Sequence, residues 1–343
     1  MSAFVFRRPS VYICFSESSG LDMTGDAHDG PVVVTGGAGA IGSWLVRELL
    51  AQGRDVRVVD NLSGGRRNHL PADGTPGLTL TVADLKEPGR YAAAFDGATE
   101  LWHLAANTDI RKGSLDPKLD FEDGAVATYV VLEEARRHGL RRAVYASSSV
   151  VYGFPSVFPT PEEYGPLEPQ SPYAAAKLAG EALFSAYAHT HGLRAFLFRF
   201  ANIIGPNMTH GVIYDFFEKL RVDPTRLEVL GDGHQSKSYL RTEDCVAAML
   251  LAVAKGERPV NLFNLGTSDR TPVREIAEKV VAAHGGSARI EYTGGAQGWV
   301  GDVPQQLLAI DRILALGWRP KWSSTEAVDA TIAEMNAARR SGH

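Results

Sequence analysis

The sequence predicts an α/β fold in which helices cover both faces of a parallel sheet, with a smaller lobe towards the C-terminal end. Two observations carry this prediction. Short apolar runs alternate with stretches of helical period from Pro31 to about Gly205, and a glycine-rich turn joins the first run to the first helical stretch. A chain of 343 residues is long enough for one large α/β domain and an appendage.

Short apolar runs in the first two thirds of the chain are predicted to form buried strands. They are Val32–Val34, Val56–Val59, Leu78–Val82, Leu101–Leu104, Ala143–Ala146 and Phe196–Phe198. Their near-continuous apolar character is typical of strands that are covered on both faces. Because helical stretches separate them, the strands are expected to run parallel in a doubly wound, Rossmann-type sheet.

Composition changes along the chain divide it into three parts. Residues 1–30 form a leader, whose second half is rich in Ser, Gly and Asp and which lacks the pattern of a signal peptide. Residues 31–205 form the cofactor-binding domain. Residues 206–236 and 267–343 form the substrate-binding lobe, because Gly, Pro and Trp interrupt shorter elements there. The apolar stretch 237–266 is expected to return to the main sheet.

Charge and cysteine content exclude several function classes. A net charge of -5 and a pI near 6.1 argue against nucleic acid as a partner, because phosphate binding usually requires a basic surface. Two cysteines, Cys14 and Cys245, provide neither a disulfide framework nor a metal site, so we expect no metal and a cytoplasmic location. No apolar run reaches the ~18 residues of a membrane span, so no membrane partner is expected.

The glycine-rich turn predicts a dinucleotide site. Gly36, Gly39 and Gly42 follow the first strand and open the predicted helix Ser43–Ala51. Glycines at this spacing let the backbone approach a pyrophosphate, while the amides of the helix N-terminus face the anion. A glycine-rich turn without a ligand is the alternative interpretation.

Acidic residues after the second and third strands refine the cofactor prediction. Asp60 is placed to accept hydrogen bonds from both ribose hydroxyls, which favours NAD over NADP because the carboxylate repels a 2′-phosphate. Arg66 and Arg67 follow closely and would attract that phosphate, unless they are simply solvated. Asp84 is expected either to bracket the adenine, with Leu85, or to cap a helix.

A tyrosine and a lysine are spaced for acid and base chemistry. Tyr173 and Lys177 are one helical turn apart after Ser171 and Pro172, which form a good helix start. A tyrosine is a poor base at neutral pH unless a nearby cation stabilises its phenolate. Alternatively, the two residues simply belong to an amphipathic helix and have no role in chemistry.

A serine run follows the fifth strand, at the sheet edge where open parallel sheets bind ligands. Ser147, Ser148 and Ser149 offer hydroxyls that can share the proton of a substrate alcohol with Tyr173. Turn formation is the alternative role for three such serines.

Taken together, these motifs resemble the UDP-galactose 4-epimerase group of extended short-chain dehydrogenases and reductases. The resemblance extends from Pro31 to about Val328. Besides the motifs above, it includes the segments Asp60–Leu62, His103–Ala106, Arg199–Pro206, Gly231–Gly233, Asn264–Gly266 and Leu316–Trp318.

The resemblance implies NAD as cofactor, a UDP-sugar as substrate and a homodimer paired through helices near 126–138 and 173–189. It implies Tyr173 as general base and acid, Lys177 as its partner at the nicotinamide ribose, and Ser148, four residues before Tyr152, as the hydroxyl partner. The implied cofactor-binding residues are Gly36, Gly39, Ala40, Ile41, Gly42, Asp60, Asn61, Asp84, Leu85, Leu104, Ala105, Ala106, Tyr173 and Lys177. The expected substrate-binding residues are Asn107, Arg111, Ser147, Ser148, Ser149, Tyr173, Asn202, Lys237 and Tyr239.

Three positions depart from the pattern of the family. Gly124 stands where relatives often have Asn before Val-x-Gly-Thr. Lys237, with Tyr239 nearby, stands where relatives have a diphosphate-binding arginine. Trp299 stands upstream of Gly301 where another such arginine is usual. The diphosphate contacts therefore differ from those of the family. Asn202 is expected to contact the diphosphate, with a simple turn role as its alternative.

Enzymes of this group share a first step, in which a 4-keto sugar forms, and differ in their later steps. Dehydratases carry Asp-Glu before Val-Tyr-Gly, at the positions of Ser149 and Val150, and decarboxylases carry Glu at the second position. The absence of a carboxylate here favours 4-epimerisation. The sugar is expected to be UDP-glucose, UDP-galactose or the glucuronate pair, because Ser147, Ser149 and Arg111 allow a polar C6 group. A silent cofactor-binding protein is the remote alternative.

Overall fold

The computed structural model describes residues 30–107, 109–299 and 301–340, and only the backbone of Arg111. The predicted leader, except for Gly30, lies outside the described residues. The strands are β1 (Val32–Thr35), β2 (Val56–Asp60), β3 (Leu78–Val82), β4 (Glu100–His103), β5 (Arg142–Ser148), β6 (Arg194–Phe200), β7 (Asn202–Ile204), β8 (Arg226–Val229), β9 (Ser236–Lys237), β10 (Tyr239–Arg241), β11 (Val260–Leu265), β12 (Thr271–Pro272), β13 (Arg289–Tyr292) and β14 (Gln305–Gln306).

The α-helices connect these strands and cover their faces. They are α1 (Ala40–Ala51), α2 (Ile110–Leu115), α3 (Pro117–Asp120), α4 (Ala127–Arg137), α5 (Pro172–His191), α6 (Val212–Val222), α7 (Thr242–Lys255), α8 (Val273–His284), α9 (Asp311–Ala315) and α10 (Ser324–Arg340). A π-helical turn, Phe121–Val126, joins α3 to α4. Among the described residues, no helix is long and apolar enough to cross a membrane.

The predicted doubly wound parallel sheet is confirmed. Seven parallel strands lie in the order β11-β6-β5-β4-β1-β2-β3. The chain leaves β1 towards β2 on one side and returns to β4 on the other, so the strand order reverses between β1 and β4. Ligands bind at such a reversal, outside the carboxyl ends of the strands. The glycine loop and the ends of β4 and β5 therefore share one edge.

Two apolar cores hold helices on opposite faces of this sheet. One core contains Leu45 and Val46 from α1 and Met249 from α7. The other contains Val131 from α4 and Phe184 from α5. Each helix buries one apolar stripe on strands that are apolar on both faces, which explains the near-continuous apolar runs of the sequence.

A third core gathers the C-terminal elements α6, α8 and α10 with the short strands β8 and β10. The sequence assigned all of 267–343 to this lobe, but the structure divides that segment. Leu308, Ile310, Ile313 and Trp318 pack in the core of the main sheet, together with residues of α7. Strand β11 lies at the edge of the main sheet beside β6. The boundaries of the cofactor-binding and substrate-binding parts stay predictions.

Candidate active site

Two glycines around the turn from β1 to α1, Gly36 and Gly42, have no room for a side chain. Gly36 has a φ of +70°, and a Cβ atom on it would lie 2.6 Å from the backbone nitrogen of Ala105. A Cβ atom on Gly42 would overlap the carbonyl oxygen of Gly36. Gly39 is the N-cap of α1, and no side chain of the described residues caps this helix end. The first amides of α1 are therefore left for an anion, which fits the pyrophosphate of a dinucleotide.

Asp60 lies at the end of β2 and is bonded to the glycine loop. Its carboxylate, in a residue only 7% exposed, accepts hydrogen bonds from the backbone nitrogens of Ala38 at 2.9 Å and Leu62 at 2.8 Å. A carboxylate has about four lone-pair sites, so this one keeps capacity for ribose hydroxyls. The exposed Asn61 accepts hydrogen bonds from the backbone nitrogen and hydroxyl of Ser63.

The two arginines that follow β2 have different surroundings. The guanidinium of Arg67 pairs with Asp73 and donates to the carbonyl oxygen of Pro71 at 2.7 Å. Arg66 is exposed, and its backbone nitrogen donates to the carbonyl oxygen of Ala38 at 3.1 Å. Arg67 is thus held by the 71–73 turn, whereas Arg66 adjoins the glycine loop through its backbone.

Asp84, after β3, belongs to a small ion cluster that the sequence did not predict. Lys86 lies 3.1 Å from its carboxylate and also contacts Asp123 from the π-helical turn. Burial acts to raise the pKa of Asp84, but the hydrogen bonds and charge of Lys86 outweigh it and lower that pKa. The side chain of Leu85 packs in the second core and its carbonyl oxygen accepts a hydrogen bond from Tyr91 at 2.7 Å, so a ligand contact would have to use its backbone nitrogen.

The segment after β4 lies beside the glycine loop at the same sheet edge. Leu104, Ala105 and Ala106 are half-buried, and Ala105 meets Gly36 closely. Asn107 donates a hydrogen bond from Nδ2 to Oδ1 of Asp120 at 2.7 Å, so this amide is engaged inside the protein. The backbone of Arg111 lies in α2, and its side chain is outside the described part of the chain.

The tyrosine and lysine lie on the first turns of α5, which begins as predicted. Ser171 is the N-cap and accepts a hydrogen bond from the backbone nitrogen of Ala174. The Lys177 ammonium lies 5.7 Å from the centre of the Tyr173 ring and donates to the carbonyl oxygen of Ala146 at 2.6 Å. Helix α5 therefore presents both side chains at the carboxyl end of β5.

Ser148 completes the group at the last position of β5. Its Oγ accepts a weak hydrogen bond from the backbone nitrogen of Val150 at 3.4 Å. Its hydroxyl lies close enough to the Tyr173 phenol to act to lower the pKa of Tyr173. The three side chains of Ser148, Tyr173 and Lys177, called the catalytic corner below, are thus brought together.

Burial and charge set the proton affinities of the catalytic corner. Burial lowers the pKa of Lys177 to about 8, although the charges of Asp120 and Glu181 act in the opposite direction. Burial, followed by the charge of Asp120, raises the pKa of Tyr173. Lysine deprotonation is thus brought close to neutral pH, whereas the tyrosine needs further positive charge to become a base.

The flanking serines have separate environments. Ser147 is 2% exposed and donates to Glu181 at 2.5 Å, inside the protein. Glu181 is also bound by Arg199 through two hydrogen bonds of 2.9 and 2.7 Å. Ser149, by contrast, lines the pocket and accepts a hydrogen bond from Gln306 at 2.5 Å. The structure therefore does not bring Ser147 to the ligand edge, because strand alternation turns it inward.

A pocket lies between the end of β5 and the C-terminal lobe. Residues that contribute polar groups to its wall, called the substrate wall below, are Asn202, Lys237, Asp302 and Gln306. The Lys237 ammonium lies 2.6 Å from a carboxylate oxygen of Asp302. Asn202 donates to Oε1 of Gln306 at 3.2 Å. Val150 and Trp299 also line the pocket.

Some site residues differ from the sequence-based expectation. Tyr239 is 3% exposed within the core of the lobe, so its side chain does not line the pocket with Lys237. Sequence reasoning missed Asp302 and Gln306, because their positions depend on how distant segments pack. Arg199 was missed too, although a charged residue inside an apolar strand signals a buried partner.

Comparisons with known proteins agree with this geometry. Residues 32–266 match the model of the NAD dependent epimerase/dehydratase family. A UDP-glucose 4-epimerase from Mycolicibacterium smegmatis is 33% identical over 311 residues, covering 88% of this chain and 96% of that protein. A crystal structure of a UDP-galactose 4-epimerase superposes with a TM-score of 0.80 at 42% identity, covering 90% of this chain and 99% of the other.

A relative with a different reaction is equally similar in fold. The structure of a dTDP-glucose 4,6-dehydratase from Streptomyces venezuelae, with NAD bound, gives a TM-score of 0.82 at 28% identity and covers 90% of this chain and 98% of that one. Fold alone therefore does not distinguish epimerase from dehydratase. The matches to both kinds of enzyme show that the chain belongs to the NAD-dependent epimerase/dehydratase family and that NAD is its cofactor.

Proposed function

We propose that this protein is a 4-epimerase of a UDP-activated hexose and acts through a transient 4-keto sugar. The observation that carries the proposal is the catalytic corner beside Ser149 and Val150, positions that provide no carboxylate. The corner supplies the proton transfer at a sugar hydroxyl, which all enzymes of this kind need. The neighbouring positions lack the acid that elimination would require.

The catalytic corner assigns one role to each side chain. Tyr173 accepts the proton of the sugar 4-hydroxyl and returns it to the 4-keto oxygen when that oxygen becomes a hydroxyl again, with C4 inverted. Lys177 stabilises the phenolate through its charge and binds the nicotinamide ribose. Ser148 donates a hydrogen bond to the sugar 4-oxygen and so aligns the 4-hydroxyl with Tyr173. NAD, when bound, would supply the acceptor and donor of the C4 hydride, so no cofactor would be consumed.

Backbone groups provide most of the proposed cofactor site. The pyrophosphate binds at the amides of the loop and the first turn of α1. Asp60 binds the adenosine ribose, and Asn61 lies at the rim of that site. The residues assigned to NAD are Gly36, Gly39, Ala40, Ile41, Gly42, Asp60, Asn61, Asp84, Leu85, Leu104, Ala105 and Ala106, together with Tyr173 and Lys177.

NAD rather than NADP is proposed because Asp60 places negative charge where a 2′-phosphate would lie. The 71–73 turn holds the side chain of Arg67. The side chain of Arg66 makes no hydrogen bond among the described residues, so Arg66 is the arginine that could contact a 2′-phosphate. Titration of cofactor-stripped protein with both dinucleotides tests the choice. NAD should bind more tightly, and equal affinities would show that Arg66 overrides the carboxylate.

The diphosphate of the substrate is proposed to bind at Asn202 and Lys237. The ion pair with Asp302 fixes the Lys237 ammonium in the pocket wall. Ser149 and Gln306 supply polar groups near the sugar. Arg111 and Asn107 stay predicted substrate contacts from the sequence, although the amide of Asn107 is engaged with Asp120.

The nature of the sugar at C6 separates two versions of the proposal. UDP-glucuronate needs polar groups near C6, and Ser147 was one of those expected. Because Ser147 is committed to Glu181, this support is weakened and UDP-glucose is the preferred substrate. A 4,6-dehydratase or a decarboxylase is disfavoured by Val150, and a catalytically silent protein by the complete catalytic corner.

Product analysis tests the proposed reaction. The protein is incubated separately with UDP-glucose and UDP-glucuronate, and the products are identified by NMR and mass spectrometry. Inversion at C4 with unchanged mass supports epimerisation. Loss of water or of carbon dioxide as the main outcome would overturn it, since each belongs to an alternative reaction.

A homodimer in the cytoplasm is the proposed state of the protein. Large apolar side chains are exposed beside α4, where Phe121 is 62% and Tyr129 is 50% exposed. Leu115, at the end of α2, is 88% exposed. A second copy that packs through α4 and α5 would cover this surface. Light scattering should give twice the chain mass at micromolar concentration, and a monomer would refute the pairing.

A further inference from the structure

Asp120 is a buried carboxylate that the proposed reaction does not yet use. It ends α3, is 1% exposed, and accepts a hydrogen bond from Asn107 at one oxygen. Its other oxygen, Oδ2, is buried without a hydrogen-bond partner among the described residues. An unpaired buried charge is costly, so a compensating interaction is expected nearby.

The packing around Asp120 places its carboxylate against α2 and brings the π-helical turn that follows it against α5. A Cβ atom on Gly113 would overlap this carboxylate, so the backbone of α2 lies directly against it. A Cβ atom on Gly124, one turn further, would lie only 2.6 Å from that of Ala176. Because Ala176 precedes Lys177, the chain that carries Asp120 closely approaches the segment of α5 that bears the catalytic corner.

Burial raises the pKa of Asp120, and Lys177 is the one cation among the described residues whose charge is found to act on this carboxylate in the opposite direction. Negative charges on Asp109 and Asp123 act on Asp120 unfavourably, and Asp123 is itself paired with Lys86. Tyr173 and Lys177 are within electrostatic range on α5.

The second acid near Lys177 is already neutralised. Glu181 lies one helical turn beyond the lysine, but both its oxygens are bound by Arg199. Asp120 receives only the neutral amide of Asn107 and has an oxygen to spare. The net negative charge that faces the buried ammonium therefore comes chiefly from Asp120.

We propose that Asp120 is a positioning residue that supplies the counter-charge of the Lys177 ammonium and thereby sets the pH range in which Tyr173 and Lys177 act as a pair. The inference rests on the roles proposed above for those two residues. A negative charge favours protonated lysine and disfavours the tyrosine phenolate, so it raises the pKa of both groups. Removing the charge lowers both pKa values.

The Asp120→Asn variant tests this coupling, because it removes the charge while keeping the shape and an acceptor for Asn107. The pH profile of kcat/KM should move to lower pH on both its acid and alkaline limbs, by about one unit. Glu122→Gln is the matched control: it removes the same charge two residues away, from a partly exposed pair with Lys118, and should leave the profile in place. If Asp120→Asn lowers the rate but leaves both limbs of the pH profile at their original pH, the proposal is overturned.

A second measurement does not depend on turnover. Tyrosinate absorbance is titrated in NAD-loaded protein without sugar, and the signal of Tyr173 is isolated by subtracting the same titration in a Tyr173→Phe background. In Asp120→Asn the phenolate should form at lower pH than in the parent protein. An unchanged titration would refute the inference.

The two measurements also separate this inference from the proposed function. If the parent protein does not epimerise either UDP-sugar, the function fails while the tyrosinate titration still tests Asp120. Asp120→Leu, which removes the charge with an apolar group of similar size, serves if Asp120→Asn does not fold. An upward or absent shift in whichever variant folds counts against the proposal.

Discussion

The substrate wall lines the pocket, the catalytic corner adjoins it through Ser149 and Ser171, and the two groups are built differently. The corner comes from β5 and α5, whose residues pack in the interior, and Lys177 is only 5% exposed. The wall is assembled from strands β7, β9 and β14 and a nearby turn, and the Lys237 side chain is 21% exposed. The corner thus holds a buried ammonium, whereas the charged contact of the wall is partly hydrated.

This difference in burial predicts which property of the protein a substitution in each group should change. Buried charges are sensitive to the loss of a single partner, because the remaining charge stays desolvated. Partly exposed ion pairs contribute little, because water and salt screen them. Changes in the corner should therefore affect rate or stability strongly, and changes in the wall should mainly affect substrate affinity.

The largest effect is expected for Tyr173→Phe. Removal of the phenol oxygen takes away the proposed proton acceptor, so turnover should fall by about 10²–10⁴-fold while NAD stays bound. Steady-state kinetics and cofactor content measure the two effects. Tyr292→Phe, at a 40% exposed position in β13, is the control and should keep full activity. Near-parental turnover by Tyr173→Phe would break the assignment of the corner.

A large loss of stability is expected for Arg199→Met. This change leaves Glu181 buried without its cation, which should cost about 3–5 kcal/mol in the free energy of unfolding. Chemical denaturation measures the loss. Arg221→Met, which breaks a partly exposed pair with Glu218, should cost under about 1 kcal/mol. Equal losses in the two variants would show that burial does not distinguish these pairs.

The smallest effect is expected for Lys237→Met in the substrate wall. Loss of the ammonium should raise KM for the UDP-sugar about 10-fold with little change in kcat, because binding rather than the chemical step is weakened. Lys237→Arg keeps the charge and should stay close to the parent. A fall in kcat at unchanged KM would place Lys237 with the corner instead of the wall.

Local sequence signals predicted the fold and the proximity of Tyr173 to Lys177. The apolar runs, the glycine spacing and the one-turn separation of Tyr173 from Lys177 each depend on neighbours in the chain. Such periodicities follow directly from backbone geometry. The parallel sheet was confirmed for this reason, and the structure brings Ser148 to the same two residues.

Side-chain direction and distant packing limited the rest. Ser147 and Tyr239 are on strands, where a shift of one residue decides between interior and pocket, and both turned out to face the interior. Gln306 reaches the pocket through the pairing of β9 with β14, and Asp302 is held there by Lys237 of β9, in each case across a separation of many residues. No local sequence pattern predicts a contact between such distant segments.

The chain passes several times between the main sheet and the lobe, and this limits where it can be truncated. After the lobe helix α6, the chain returns to the sheet with β11, leaves it for α8, packs Ile313 and Trp318 back on the sheet core, and ends in the lobe helix α10. Neither part is a continuous stretch of sequence, so no single cut separates them. A fragment that stops before residue 308 would leave the first core open, and we expect it to be recovered as aggregate rather than as a smaller cofactor-binding protein.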